Sequence, residues 1–257
     1  MEGDQEVRSL RRGLKALTLI NQVEAMSIAR LAEALELPRT TTERLLNTLA
    51  AEGYVARSAS DKQYRLMPKV LGLSSGFSGE SWITHTAAPL LNQATEEIGW
   101  PLAIAVAEGA DMHVRYTTDT MTTLWLTRRR VGSSIPIPLA SSGLVYLAFS
   151  PQAERAELEG VVKQTYPDLP LDAVRIQAAA VDGHAFPPQV TREQSLSVPI
   201  FLNGKLSAVL LMMFMARVHT RAAVLRNYLP RLLSLAQRIG QGADQQGQPP
   251  AAGQQAS

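Results

Sequence analysis

The sequence contains no cysteine, which excludes disulfides, thiolate metal sites and cysteine nucleophiles and fits a reducing compartment. No apolar run approaches the roughly 18 residues that a membrane-spanning helix needs. The first residues are acidic, whereas a signal peptide begins with basic ones, so we expect a cytoplasmic protein without a membrane partner. The four histidines lie far apart, and phosphate loops and serine elbows are absent. No metal, cofactor or enzymatic activity is therefore predicted.

What the sequence does contain is a local excess of positive charge. The formal net charge of all 257 residues is only +2, yet residues 7–66 hold ten basic and six acidic side chains. A basic excess in such a short segment indicates a polyanionic partner.

Residues 7–66 have the pattern of three short helices followed by a hairpin. Apolar residues recur at helical spacing from Leu10 to Ile20, and Ser27 is suited to cap a second helix that ends before Pro38. A third helix is predicted from about residue 40 to residue 52. Two short β-like runs around a polar turn, residues 54–66, then predict a hairpin.

Two helices joined by a short turn form a helix-turn-helix, in which the second helix presents its first residues to base edges of double-stranded DNA. Basic and hydrogen-bonding side chains lie away from the leucines of the third helix, and the hairpin adds basic residues as a wing would. The predicted DNA contacts are Arg39, Thr40, Thr41, Thr42, Arg44, Asn47, Arg57, Lys62 and Arg65. The alternative is a small helical domain whose outward charges are simply solvated.

The rest of the chain predicts an α+β domain with an antiparallel sheet, because neighbouring strands are joined by tight turns. The predicted strands are 102–107, 112–118, 122–127, 195–202 and 205–215, and the predicted helices are 82–98, 141–149, 151–163, 171–181 and 220–239. Four segments follow: a DNA-binding domain at 7–66, a linker helix at 67–81, a second domain at 82–240 and a disordered tail at 241–257.

Taken together, these motifs resemble the IclR family of bacterial transcription regulators. The residues that carry the resemblance are Arg12-Gly13-Leu14, Ile28-x-x-Leu31-Ala32, Leu35-x-Leu37-Pro38, Thr40-Thr41-Thr42-x-Arg44-Leu45-Leu46, Glu52-Gly53-Tyr54, Ala140-Ser141-Ser142-Gly143-Leu144 and Val198-Pro199-Ile200-Phe201. The resemblance implies a winged helix-turn-helix domain, a GAF-like domain that binds a small effector, and a homodimer or homotetramer. In the family, the first helix and residues 67–80 make the dimer contacts.

A looser resemblance connects the chain to one subgroup, typified by the activator of 3-(3-hydroxyphenyl)propionate breakdown. It rests on Trp82-Ile83, Ala87-Ala88-Pro89-Leu90-Leu91, Trp100-Pro101, Val131-Gly132 and Leu147-Ala148-Phe149. It implies regulation of an aromatic-acid catabolic operon, with RNA polymerase as a partner if the protein activates.

The resemblance also implies an effector site. The family's effector carboxylate meets the start of a short helix, which here corresponds to Ser142, Gly143 and Leu144. Where the family's small-acid site has serines on its last strand, this chain has Leu210 and Met212, which predicts an apolar wall and an aromatic acid. The other expected contacts are Leu126, Ile135, Ile137 and Ser195, with Trp125 as a further ring contact. No contact is predicted from the loop 183–194.

Two other function classes remain as alternatives. One is an enzyme on the α+β domain with an accessory basic domain, against which the absence of an acid, base and nucleophile constellation argues. The other is an architectural DNA binder that responds to no ligand.

Overall fold

A computed structural model of the chain describes residues 7–73, 81–124 and 127–246. The chain divides into two compact units, Met1–Gly79 and Glu80–Ser257. Within the described residues, no helix combines the length and the apolarity that crossing a bilayer requires.

The first unit consists of three helices and a two-stranded hairpin, as predicted. The helices are α1 (Arg8–Val23), α2 (Ile28–Leu35) and α3 (Arg39–Ala51), and the antiparallel strands are β1 (Val55–Arg57) and β2 (Tyr64–Leu66). Its core is built from buried apolar side chains on all of these elements: Ile20, Leu31, Leu46, Val55 and Tyr64.

Local signals account for the helix ends in this unit. The Oγ of Ser27 accepts a hydrogen bond from the amide of Arg30 at 3.4 Å, which confirms the predicted cap of α2. Pro38 occupies the N-cap position of α3, where its missing amide proton costs nothing because the first turn has no intrahelical acceptor.

The first half of the predicted linker helix, residues 67–81, contains a short helix, but Pro68–Leu73 is a 3-10 helix and not an α-helix. The amide of Met67 donates to the carbonyl of Tyr54, and Lys69 Nζ donates to the carbonyl of Glu52 at 2.7 Å. These contacts hold the segment against the C-terminal end of α3 and replace a regular helix. Residues 74–80 of the predicted linker lie outside the described part of the chain.

The second unit is a five-stranded antiparallel sheet with helices on both faces. The strand order is β5-β4-β3-β7-β6. The strands are β3 (Leu102–Glu108), β4 (Asp111–Thr117), β5 (Ser134–Pro136), β6 (Glu193–Leu202) and β7 (Lys205–Met215). The helices are α4 (Ala88–Ile98), α5 (Ser141–Phe149), α6 (Gln152–Thr165), α7 (Ala173–Asp182), α8 (Arg221–Asn227) and α9 (Leu229–Gln246), with a π-helical turn, Ile83–Ala87, before α4.

Each face of the sheet has its own apolar core. One core packs α4, α8 and α9 against side chains such as Leu196, Leu210 and Met212. The other packs α5, α6 and α7 against side chains such as Leu211 and Met213. Because side chains alternate along a strand, neighbouring residues of β7 belong to different cores.

The predicted strand at residues 122–127 is wrong in the described residues. Residues 122–124 are not extended in a sheet, Trp125 and Leu126 lie outside the described part of the chain, and β4 pairs with β5 instead. Side chains close this loop: Thr122 Oγ1 donates to the carbonyl of Gly99 at 2.8 Å, and Asp119 accepts from the amide of Arg129 at 2.6 Å.

The predicted disordered tail is also wrong at its start. The closing helical region is interrupted at Tyr228, and its second part, α9, continues to Gln246. Ala243 is buried, and Asp244 Oδ1 accepts from the amide of Asn203 in the β6–β7 turn at 2.9 Å. These tertiary contacts stabilise a polar stretch whose composition alone predicts disorder. Residues 247–257 lie outside the described part of the chain.

Candidate functional site

The exposed face of α3 carries most of the predicted DNA contacts. Thr40, Arg44 and Asn47 are exposed and separated by four and three residues, so they lie on one side of the helix. Arg39 is exposed at the first position of α3, and Thr41 is half-buried. The helix thus presents a cation, an amide and a hydroxyl together, which are groups that bind base edges and phosphates.

Thr42 does not belong to this face, and its predicted role as a DNA contact is wrong. Its side chain is fully buried, and its Oγ1 donates to the carbonyl of Pro38 at 3.2 Å. Thr42 therefore packs α3 onto the core.

An acidic residue that the sequence reasoning passed over lies on the exposed side of α3. Glu43 is exposed and is four residues from both Arg39 and Asn47. The helical spacing that places Arg44 on this side places Glu43 there as well, and its negative charge distinguishes it from the basic and uncharged residues predicted to contact DNA. A carboxylate here accepts from a cytosine amino group and repels phosphates.

The hairpin holds its three basic residues in different ways. Arg57 Nε donates to the carbonyl of Lys62 at 3.4 Å, and its guanidinium lies 5.8 Å from the centre of the Tyr64 ring. Lys62 is exposed at the tip in the left-handed region, with φ of 58°. Both residues present positive charge to solvent.

Arg65 is engaged by a carboxylate within the same hairpin. Its two terminal nitrogens donate to the two oxygens of Asp61 at 3.1 and 2.6 Å. The Arg65 hydrogen bonds, assisted by the amide of Gln63, hold the pKa of Asp61 well below its usual range. Because Asp61 offsets the charge of Arg65, Arg65 presents less net positive charge to solvent than Lys62 does.

The second unit contains a cavity of about 630 Å³ at the start of α5. It is lined by Thr127, Arg129, Ile135, Leu139, Ala140, Ser141, Ser142, Pro187, Gln189, Thr191, Arg192, Glu193, Gln194, Ser195 and Leu211. Of the predicted effector contacts, the structure therefore brings Ile135, Ser142 and Ser195 together. This volume is typical of pockets that hold small molecules.

Leu210 and Met212 do not line the cavity, and their predicted role is wrong. Both are fully buried in the core on the opposite face of the sheet, where Met212 pairs with Leu196 and Leu210 with Val198. Leu211 between them faces the cavity. A shift of one residue along a strand moves a side chain to the other face, so the position inferred from resemblance differs by one step.

Three further predicted contacts also lie outside the cavity lining. Ile137 and Leu144 are buried in the core beneath α5. Gly143 is required for packing, since a Cβ there would overlap the carbonyl group of Ile137. Leu126 lies outside the described residues.

Three serine hydroxyls join the start of α5 to β6. Ser141 Oγ lies 2.6 Å from Ser195 Oγ and 2.8 Å from Ser197 Oγ. Each hydroxyl carries one proton, so two hydrogen bonds among three hydroxyls leave one proton for a ligand. Ser195 is the member of this group with partial exposure, and it lines the cavity.

The first turn of α5 offers backbone amides to the same cavity. The N-cap residue Ala140 has no side-chain acceptor, and the amide of Leu144 donates to the carbonyl of Ala140 at 3.2 Å. The amide of Leu144 is thus occupied by the helix, whereas those of Ser141 and Ser142 precede the first helical hydrogen bond. Such a helix start favours an anion.

Arg129 and Glu193 form an ion pair in the cavity wall, with Nη1 and Oε2 3.1 Å apart. Arg129 is the middle one of three consecutive arginines, residues 128–130, and it is partly buried beside the cavity, where Asp119 binds its amide. Asp119 is itself buried and accepts from the hydroxyl of Thr117 at 2.5 Å.

A loop from which no contact was predicted forms another wall, and Gln194 holds it in place. The Nε2 of buried Gln194 donates to the carbonyls of Gln189 and Thr191 at 3.3 Å. Its Oε1 accepts from Arg221 Nη2 at 2.7 Å, and the Arg221 guanidinium lies 4.8 Å from the centre of the Phe186 ring. Desolvation in this position lowers the pKa of Arg221.

In the described ranges, no group of three or more histidine, aspartate or glutamate side chains is arranged to hold a metal ion.

Comparison with known proteins agrees with both units. The IclR helix-turn-helix domain family matches residues 9–59. The Pca regulon regulatory protein of Pseudomonas putida is 26% identical over 243 residues, which are 90% of this chain and 83% of that protein.

Solved structures share the fold over almost the whole chain. The IclR protein of Thermotoga maritima matches with a TM-score of 0.66 and 19% identity, covering 93% of this chain and all of that one. An IclR homologue from Microbacterium hydrocarbonoxydans, solved with 4-hydroxybenzoate, matches with a TM-score of 0.69 and 18% identity over 93% and 99% of the two chains.

Three findings agree with an exposed α3 face and a hairpin wing. They are the match to the helix-turn-helix domain, the similarity to the Pseudomonas putida regulatory protein and the fold shared with the Thermotoga maritima structure. The predicted α+β architecture is confirmed. Residues 9–59 match the IclR helix-turn-helix domain, and the chain is similar over most of its length to DNA-binding transcription regulators, none of which is described as an enzyme.

Proposed function

We propose that this regulator controls an operon for the breakdown of aromatic acids and that an aromatic acid bound in the second unit is its effector. The observation that carries the proposal is the cavity at the start of α5, which combines anion-attracting groups with apolar and hydroxyl surface. An aromatic acid has the complementary groups: a carboxylate, a ring and often a hydroxyl.

Each part of such a ligand has a counterpart in the lining. The amides of Ser141 and Ser142 and the guanidinium of Arg129 attract the carboxylate. Leu211, Leu139 and Ile135 supply apolar surface, and the spare hydroxyl proton of the serine group suits a ring hydroxyl. A ring that buries about 100 Å² gains roughly 2.5 kcal/mol over a ligand without one.

Two related proteins support the aromatic class. The Pca regulon regulatory protein matches over most of this chain, and the Microbacterium homologue was solved with 4-hydroxybenzoate. The subgroup resemblance stated above adds 3-(3-hydroxyphenyl)propionate as an acid to test.

We further propose that the first unit contacts operator DNA through Arg39, Thr40, Thr41, Arg44 and Asn47, with Arg57 and Lys62 on the backbone. Operator DNA as a partner implies a cytoplasmic protein. RNA polymerase becomes a further partner if the regulator activates transcription. One such helix reads only a few base pairs, so a homodimer or homotetramer is expected to double the site.

The surface of α1 supports self-association. Leu10 and Leu14 are 61% and 54% exposed and line an apolar groove together with Leu73. Burying such side chains against a second copy is favourable. Sedimentation at micromolar concentration should give a dimer or tetramer, whereas a monomer with and without DNA would contradict this part of the proposal.

A gel shift on the DNA that flanks its own gene, repeated over a salt series, tests the whole proposal. We expect a specific complex whose affinity changes on adding 4-hydroxybenzoate or 3-(3-hydroxyphenyl)propionate, but not on adding pyruvate at the same concentration. Calorimetry on the protein alone should rank the acids in the same order. Equal binding of pyruvate and the aromatic acids would disprove the aromatic class, and a complex insensitive to every acid would disprove effector control.

A further inference from the structure

The ion pair between Arg129 and Glu193 lies in the cavity wall and is only partly exposed, at 27% and 12% of the two side chains. It joins one nitrogen of the guanidinium to one oxygen of the carboxylate. Arginine binds a carboxylate most strongly through two parallel hydrogen bonds, so this single contact is weaker than the best that Arg129 can make.

The backbone of Arg129 is held by Asp119, which is 1% exposed. Glu193 begins β6, and its other oxygen, Oε1, accepts from the amide of Thr127 at 3.4 Å, at the limit of a hydrogen bond. An arriving carboxylate therefore competes with Glu193 for the guanidinium of Arg129, whose backbone Asp119 holds beside the cavity.

Resting on the proposed function, we propose that the effector's carboxylate displaces Glu193 from Arg129, so that Glu193 is a built-in competitor for the anion site. A neutral ligand carries no negative charge that could replace the carboxylate of Glu193 beside Arg129. Glu193 thereby makes the cavity selective for acids. Its release also frees the amide of Thr127, which loosens residues 127–129 from β6 and communicates occupancy to the sheet.

Calorimetry with 4-hydroxybenzoate and its neutral analogue 4-hydroxybenzamide tests this competition. The variants are Glu193→Gln, Arg129→Gln and, as a matched control, Arg128→Gln, which removes the same charge from an exposed neighbour outside the cavity lining. Glu193→Gln keeps an oxygen for Thr127 but removes the competing charge.

We expect Glu193→Gln to bind the acid about tenfold more tightly and Arg129→Gln to bind it about tenfold more weakly, as for a charge-assisted hydrogen bond. Affinity for the amide should change much less in both variants, and Arg128→Gln should match the wild type for both ligands. Thermal melting checks that each variant folds. If Arg129→Gln does not fold, the gain of affinity in Glu193→Gln decides the test by itself.

The outcomes separate this inference from the proposed function. If the wild type binds the acid and neither Arg129→Gln nor Glu193→Gln changes the ratio of acid to amide affinity, the carboxylate lies elsewhere and the inference is wrong, while the proposed function stands. If the wild type and Glu193→Gln bind no aromatic acid, the proposed function is wrong, and the inference falls with it.

Discussion

The two units of this regulator place their functional residues in opposite settings. In the first unit, Thr40, Arg44 and Asn47 project from the outside of one helix. In the second, the cavity is assembled from separate stretches of chain, near residues 127–129, 135–142, 187–195 and 211. On the helix, spacing along the sequence translates directly into position, whereas in the cavity each contact depends on packing and strand register.

The comparison explains why most of the predicted DNA contacts lie on the surface of the first unit, whereas few of the predicted effector contacts line the cavity of the second. An error of one residue on α3 turns a side chain by about 100° and still leaves several neighbours on the exposed face. The same error on β7 moves a side chain to the other core, as with Leu210 and Leu211.

The largest expected effect concerns the glycine that shapes the cavity. Gly143→Ala should destabilise the protein by about 3 kcal/mol, because the added methyl overlaps the carbonyl group of Ile137 and the backbone must shift. Gly160→Ala in α6, where the space around the new methyl is open, should instead stabilise by about 0.5–1 kcal/mol. Urea unfolding compares the two variants, and equal stabilities would show that the start of α5 is less tightly packed than described.

The next effect distinguishes the exposed and buried residues of α3. Arg44→Ala should weaken operator binding by about 1–3 kcal/mol if Arg44 contacts a base. Thr42→Val, which keeps the side-chain shape but removes the hydrogen bond to Pro38, should lower unfolding stability and leave operator affinity unchanged in the folded protein. Fluorescence anisotropy with operator DNA measures both variants. Unchanged binding of Arg44→Ala would remove this face of α3 from the interface.

A smaller effect tests the register of β7. Leu210→Val and Leu211→Val each delete one methylene from a buried side chain and should lower stability by about 1 kcal/mol. Only Leu211→Val should also reduce affinity for 4-hydroxybenzoate, by about threefold, because Leu211 lines the cavity. If calorimetry finds the loss in Leu210→Val instead, the original assignment of the wall was right.

The smallest effect concerns the wing. Asp61→Asn should free Arg65 for phosphate contact and steepen the dependence of log affinity on log salt by about one charge. In the wild type the pKa of Asp61 is lowered, so the ion pair is present at neutral pH and is lost only in acid below the usual aspartate range. The salt slope of the wild type should therefore be the same at pH 7 and pH 5. A change in slope between these pH values, or none in Asp61→Asn, would contradict this account.

Local signals predicted much of the fold. The cap at Ser27, the break before Pro38 and the Asn203-Gly204 turn act within a few residues. Both turn residues adopt positive φ, 49° and 75°, as a tight hairpin turn requires, and β7 has the predicted bounds. Such features are predictable because their energies depend on neighbours in sequence.

Features that depend on distant contacts were predicted wrongly. Residues 122–124 have strand-like composition, but hydrogen bonds that the carbonyl of Gly99 and the carboxylate of Asp119 accept close this region as a loop. The start of the polar tail is helical because Ala243 is buried and Asp244 caps the amide of Asn203. In both cases at least one decisive partner lies more than twenty residues away in the sequence.

The sequence by itself predicted a helix-turn-helix domain with a polar outer face, because the periodicity of α3 and its polar face are local properties. Only the tertiary structure decided which residues line the candidate effector cavity. Arg129, Glu193 and Leu211 become neighbours through strand pairing and through a loop held by Gln194, and no spacing rule relates them. Strand register is set by the packing of both cores at once, which is why it cannot be inferred from one strand alone.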